Sequence, residues 1–168
     1  MPSLFKATYF FDASAIVKMV VAEPGSRKVM RLLDECGIAH TSWMLVAEAL
    51  GVLKRKRTTP APGLTNDQYG RAVYALFAHL REHNLDPMDV TIDNGRAVLI
   101  THEEELFHRL PRFPDLDVAD LLQLAIIKES YLGAFGGDSQ ARLATADIKL
   151  GKAAESEGIP VVYVNVDD

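Results

Sequence analysis

The chain has 168 residues, 48% of them hydrophobic and 24% charged, which fits one globular domain with a sizeable core spanning residues 1–168. A formal net charge of −5 excludes a polycation that coats nucleic acid by charge alone. It does not exclude a nuclease, because carboxylates that hold metal ions make a site acidic. Cys36 is the only cysteine, so there is no internal disulfide framework, and a reducing cytoplasm suits the chain.

Thr8 to Phe11 is rich in β-formers and reads as a buried first strand, closed by Asp12. The apolar stretch from Ala7 to Phe11 is too short for a secretory core, and no run approaches a membrane span, so no membrane association is expected. Ala13, Ser14 and Ala15 lead into a helical pattern through Val21. Glu23-Pro24-Gly25 breaks it, and Ser26 is expected to cap a second helix through Asp34. Ile38 to Thr41 is a short second strand, after which Ser42 caps a helix from about Trp43 to Arg57. Thr58 to Gly63, with two prolines and a glycine, is a connector. Thr65 and Gln68 have capping-box spacing for a helix ending near His83.

Asp89 to Asp93 reads as extended. The segment from Asn94 to Arg112 stays open: Val98 to Ile100 fits a strand, and Thr101 with Glu104 fits a helix start. Leu116 to Tyr131 reads as an amphipathic helix. Gly133, Gly136 and Gly137 mark a loop, Ala141 to Thr145 a strand, Ile148 to Glu157 a helix stopped by Gly158, and Val161 to Val164 the last strand. Short apolar strands alternating with helices predict an α/β layer fold with a mainly parallel sheet. In such sheets ligands sit beyond the carboxyl ends of the strands.

Acidic residues fall at those positions. Asp12 closes the first strand, Asp147 follows the Arg142 to Thr145 strand, Asp120 lies in the first turn of a helix, and Glu48 sits on the helix after the second strand. Taken singly, each has an ordinary structural explanation as a cap, a turn residue or a solvated side chain. Glu48 is the least ordinary, because Leu45-Val46-Ala47 and Ala49-Leu50 flank it, which predicts a partly buried carboxylate or one lining a cleft. Together the four make an all-oxygen donor set of the kind that Mg²⁺ or Mn²⁺ requires.

Four segments then carry a family resemblance: Tyr9-Phe10-Phe11-Asp12-Ala13-Ser14-Ala15, Ser42-Trp43-Met44-Leu45-Val46-Ala47-Glu48, Asp120-Leu121-Leu122-Gln123-Leu124-Ala125, and Ala144-Thr145-Ala146-Asp147 with Gly158-Ile159-Pro160-Val161. In this order they resemble the acidic motifs of the PIN-domain family, in particular its VapC-type toxins. The resemblance implies a three-layer PIN-like α/β fold and a metal-dependent endoribonuclease. Asp12, Glu48, Asp120 and Asp147 would be its ligands to Mg²⁺ or Mn²⁺, and Ser14 and Thr145 would support them or position water. It further implies an RNA substrate, a cognate antitoxin whose tail blocks the site, and a homodimer. Thr58 to Gly63, Asp93 to Asp115 and Gly133 to Ser139 match the family poorly.

Lys54-Arg55-Lys56-Arg57 ends the Glu48 helix, either as a solvated terminus or as a phosphate-gripping patch. The histidines His40, His79, His83, His102 and His108 show no ligand spacing on a face shared with cysteine, so zinc is not expected. Gly136-Gly137 lacks the lysine and hydroxyl of a phosphate loop. Two other functions compete. A phosphohydrolase or phospho-acceptor domain would use Asp12 as nucleophile, but Ser14 stands where the usual pattern has a second Asp. A PIN-like RNA- or protein-binding module without catalysis would not need all four carboxylates.

Overall fold

A computed structural model describes residues 7–60, 63–83, 85–100, 102–129 and 141–167. The first strand, β1 (Thr8–Phe11), has its last three residues buried, as a strand covered on both faces requires. Helices α1 (Ala13–Val20) and α2 (Ser26–Glu35) return the chain to β2 (Ile38–Thr41), which runs parallel to β1 with Phe10 opposite His40. Helices α3 (Trp43–Thr58) and α4 (Asn66–Glu82) lead to the two-residue β3 (Asp86–Pro87), parallel to β2. A separate antiparallel hairpin follows, β4 (Val90–Asp93) and β5 (Arg96–Leu99), then α5 (Glu103–Arg109) and α6 (Val118–Glu129). The strand β6 (Arg142–Thr145) pairs with the free side of β1, and α7 (Ile148–Ser156) crosses to β7 (Val161–Tyr163).

The main sheet therefore has the order β3-β2-β1-β6-β7, with every pairing parallel. Helices flank it, so the architecture is the expected three-layer α/β arrangement. Phe10, Phe11, Ile16, Leu45, Leu53, Leu124, Leu143 and Leu150 are fully buried in its core. The order has one consequence for function. From β1 the chain builds outward through β2 and β3, and from β6 it builds the opposite way to β7. The switch falls between β1 and β6, where open α/β sheets form a crevice at their carboxyl edge.

Several local expectations hold at the level of single bonds. Ser42 Oγ accepts from Leu45 N at 3.1 Å. Thr65 and Gln68 form both bonds of a capping box. Others need correction. Ser26 does not cap α2: Gly25 is the N-cap, and Ser26 Oγ ties the preceding loop by accepting from Glu23 N and donating to the Val21 carbonyl, both at 2.9 Å. Gly25 has φ +90°, and a Cβ there would collide with the Val164 carbonyl, so no other residue fits without strain.

The open segment resolves into both a strand and a helix: β5, joined to β4 by a turn at Asn94 (φ 48°) and Gly95 (φ 75°), and then α5 from Glu103. Asn-Gly is the signal of a two-residue turn with both central residues at positive φ. Helix α6 begins at Val118 rather than Leu116, and it is buried on all sides from Leu121 to Ile127 instead of amphipathic. The glycine loop at 133–137 and Tyr131 lie outside the described residues. No described helix is long and apolar enough to cross a membrane.

Candidate functional site

Asp12 sits where β1 ends, 4% exposed, and it is the N-cap of α1. Its Oδ1 accepts from Ala13 N at 2.6 Å. Its Oδ2 takes three donors: Ser14 Oγ at 2.6 Å, Thr145 Oγ1 at 2.8 Å and Ser14 N at 3.3 Å. The chain folds this way because a strand ending in Asp leaves the first N–H groups of α1 in need of an acceptor. Burial outweighs these four bonds and pushes the Asp12 carboxyl above its ordinary range. Among the described residues Oδ1 has a single donor, Ala13 N, which leaves it a further lone pair.

Thr145 joins the two strands. While its hydroxyl donates to Asp12, it accepts from Asp147 N at 2.9 Å. Ser14 works in parallel, donating to Asp12 and accepting from Ala146 N at 2.8 Å. Each hydroxyl has one proton, and each spends it on Asp12. Ser14 and Thr145 are therefore positioning residues that fix Asp12 against the β6–α7 turn, and neither keeps a proton for a water. Asp147 caps α7 through Oδ1, accepting from Lys149 N at 2.7 Å and Leu150 N at 3.0 Å. Its Oδ2 has no hydrogen-bond partner among the described residues.

Asp120 reaches the same place from α6. Asp117 is the N-cap and Asp120 stands at the third helical position. Asp117 Oδ1 accepts from Asp120 N at 3.0 Å, and Asp120 Oδ2 accepts from Asp117 N at 3.4 Å, a reciprocal capping pair made by two aspartates. Partial burial, then Asp117, Asp12 and Asp147, push the Asp120 carboxyl up to about 7. Glu48, on α3, is solvent-exposed rather than buried. Its carboxyl is raised first by partial desolvation and then by Asp12, Asp117 and Asp147, with Arg55 pulling it back.

Glu48 and Asp120 thus each lie within electrostatic reach of Asp12, Asp147 and Asp117, which gathers the four expected carboxylates near the carboxyl ends of β1 and β6, with Asp117 beside them. Among the described residues, no three His, Cys, Asp or Glu side chains close around one point in ligating geometry. The chemistry of the set still fits a hard divalent cation. Several carboxylates repel one another, a free lone pair remains on Asp12, Asp147 has an unused oxygen, and every donor is oxygen.

The sequence reading missed Asp89. It is 2% exposed and accepts from Trp43 N at 2.7 Å and Met44 N at 3.1 Å. A residue just before the hairpin thereby caps α3, the helix that carries Glu48. No sequence spacing reveals this, because the partners are far apart in the chain.

The basic run divides by role. Lys56 is paired with Glu23, while Arg57 bonds Asn66 Oδ1 at 2.8 Å and lies 5.3 Å over the Tyr69 ring. Arg55 is the cation whose charge acts on Glu48, and Lys54 is exposed beside it.

In comparison with known proteins, the chain matches no protein-family model and no curated protein. The class defined by the fold and site is therefore a three-layer α/β protein with a carboxylate cluster at the carboxyl edge of its parallel sheet.

Proposed function

We propose that this chain is a metal-dependent endoribonuclease of the PIN-domain type, acting as the toxin of a toxin–antitoxin pair in the cytoplasm. The observation that carries the reading is the gathering of acidic side chains from four separate segments: the charges of Asp12 and Asp147, with Asp117, raise the carboxyls of both Glu48 and Asp120. Carboxylates held at such mutual cost are the usual mark of a functional site. The four would hold one or two Mg²⁺ or Mn²⁺ ions, which when bound supply activation of water and neutralisation of the leaving oxygen. Ser14 and Thr145 orient Asp12 by donating to it, and their bonds offset part of the effect of its burial. Arg55 and Lys54, on the same helix as Glu48, offer charge to the RNA backbone. The proposed protein partners are an antitoxin whose tail covers the crevice and a second copy of the chain.

A phosphate-transfer role with Asp12 as nucleophile is less well supported. Ser14 holds Asp12 Oδ2 where that chemistry would want a second acid. The test is cleavage of a labelled RNA by chelator-stripped protein, with Mg²⁺ or Mn²⁺ then restored. The nuclease reading expects silence followed by recovery.

A further inference from the structure

We propose that His79 and His83 form a second, separate metal site: a two-imidazole chelate for a borderline-soft transition-metal ion such as Zn²⁺ or Ni²⁺. His79 lies in the last turn of α4 and His83 is its C-cap, four residues on, with its N–H bonded to the His79 carbonyl, so the side chains lie on one side, one turn apart. Their ring centroids stand 5.4 Å apart with the planes inclined by 40°. Two imidazoles sharing a tetrahedral ion at about 2.0–2.1 Å place their centroids roughly 5 Å apart. The pair is therefore near the ligating arrangement as it stands.

A second observation points the same way. Nδ1 of His79 is shielded from water and has no hydrogen-bond partner among the described residues. A buried ring nitrogen without a partner calls for an explanation such as a missing ion, and ligation through Nδ1 would satisfy it. Burial and the neighbouring His83 hold the His79 pKa below its ordinary value, which keeps the ring neutral, the form that ligates. Asp34, near the end of α2, and Glu82 lie close enough for their charges to act on His79, a setting that favours a cation. Among the described residues no third side chain completes the group.

Imidazole selects Zn²⁺, Ni²⁺ or Cu²⁺, whereas the carboxylate cluster suits Mg²⁺ and Mn²⁺. The two sites are thus separable by metal. A two-His chelate needs no cysteine, so the spacing of four between His79 and His83 suffices for it without the shared cysteine face of a structural zinc site.

The test is calorimetric titration of chelator-stripped protein with Ni²⁺ and with Zn²⁺, comparing wild type, His79→Asn and His83→Asn, each checked for folding by circular dichroism. Wild type should bind with an affinity at least tenfold above either variant, while both variants keep wild-type response to Mg²⁺. In wild type alone, substoichiometric Zn²⁺ should shift the imidazole ¹⁵N resonances of His79 and His83 together, a readout that needs no variant. Unchanged affinity in both folded variants, or Zn²⁺ that leaves these two rings unshifted, overturns the proposal and leaves a ring–ring contact only.

Discussion

Replacing Asp120 by Asn removes one charge from the carboxylate cluster and keeps the side-chain shape. The wild-type carboxyl is raised from 3.8 to about 7, and at about 1.4 kcal/mol per pH unit that gap corresponds to roughly 4 kcal/mol. Asp120 is only partly buried, so solvent screening reduces the figure to about 2 kcal/mol. The lost anion in the first turn of α6 costs about 0.5–1 kcal/mol in the opposite direction. The net expectation is that Asp120→Asn, without metal, is about 1 kcal/mol more stable at pH 8, or about 2–4 °C in melting midpoint for a chain of this length.

The pH dependence has a definite sign. A raised carboxyl pKa means that the folded state binds more protons than the unfolded state between 3.8 and about 7. Wild-type stability therefore falls as pH rises through that window. The advantage of the variant should be absent near pH 4 and full above pH 7. Saturating Mg²⁺ or Mn²⁺ should reverse the order, since an ion at about 100 times its dissociation constant adds about 2.7 kcal/mol to the wild type alone. Calorimetric melts of both proteins at pH 4 and pH 8, with chelator and with metal, give every comparison. A wild type that is the more stable at pH 8 in chelator, or a gap that ignores pH, refutes the reasoning.

Thr145→Val deletes the hydroxyl shared by Asp12 and Asp147 without changing side-chain volume much; it should cost about 1–3 kcal/mol in chemical denaturation and lower RNA cleavage at least tenfold. Asp89→Ala should lower stability by about 1–2 kcal/mol through loss of the α3 cap, with reduced cleavage because Glu48 rides on that helix; Asp89→Asn should recover part of both. Lys54→Glu with Arg55→Glu should weaken RNA binding and flatten its salt dependence, with a change in slope of roughly two, measured by fluorescence anisotropy across a salt series. The same reversal at Arg57 should mainly lower stability, because that side chain is engaged with Asn66 and Tyr69.

The sheet was legible because its strands are short apolar runs that end where helix caps begin. Thr8 to Phe11, Ile38 to Thr41 and Arg142 to Thr145 appear in the structure with those limits. The roles of Ser42, Thr65 and Gln68 were legible because a cap is a local contract between residues three apart. Long-range geometry was not. Asp89 caps a helix from another part of the chain, and Ser26 serves a loop instead of its own helix, choices decided by packing. The Asn94-Gly95 turn did carry a local signal, but the acidic run after it obscured where the strand ended. Helix α6 looked amphipathic because Asp120, Gln123 and Lys128 interrupt its apolar residues, yet Gln123 is buried. For the candidate site, sequence order supplied the four carboxylates, but the β1–β6 pairing that sets Asp12 beside the turn of Asp147, and the packing that carries Glu48 on α3 and Asp120 on α6 toward them, are long-range.

The central claim is that Asp12, Glu48, Asp120 and Asp147 hold divalent metal for RNA cleavage, and single-turnover cleavage of an end-labelled RNA by chelator-stripped protein tests it most directly. Wild type should be silent in chelator and recover with Mg²⁺ or Mn²⁺, whereas Asp12→Asn, folded by circular dichroism, should stay silent in both. Undiminished cleavage in excess chelator, or metal-restored cleavage by folded Asp12→Asn, would contradict it.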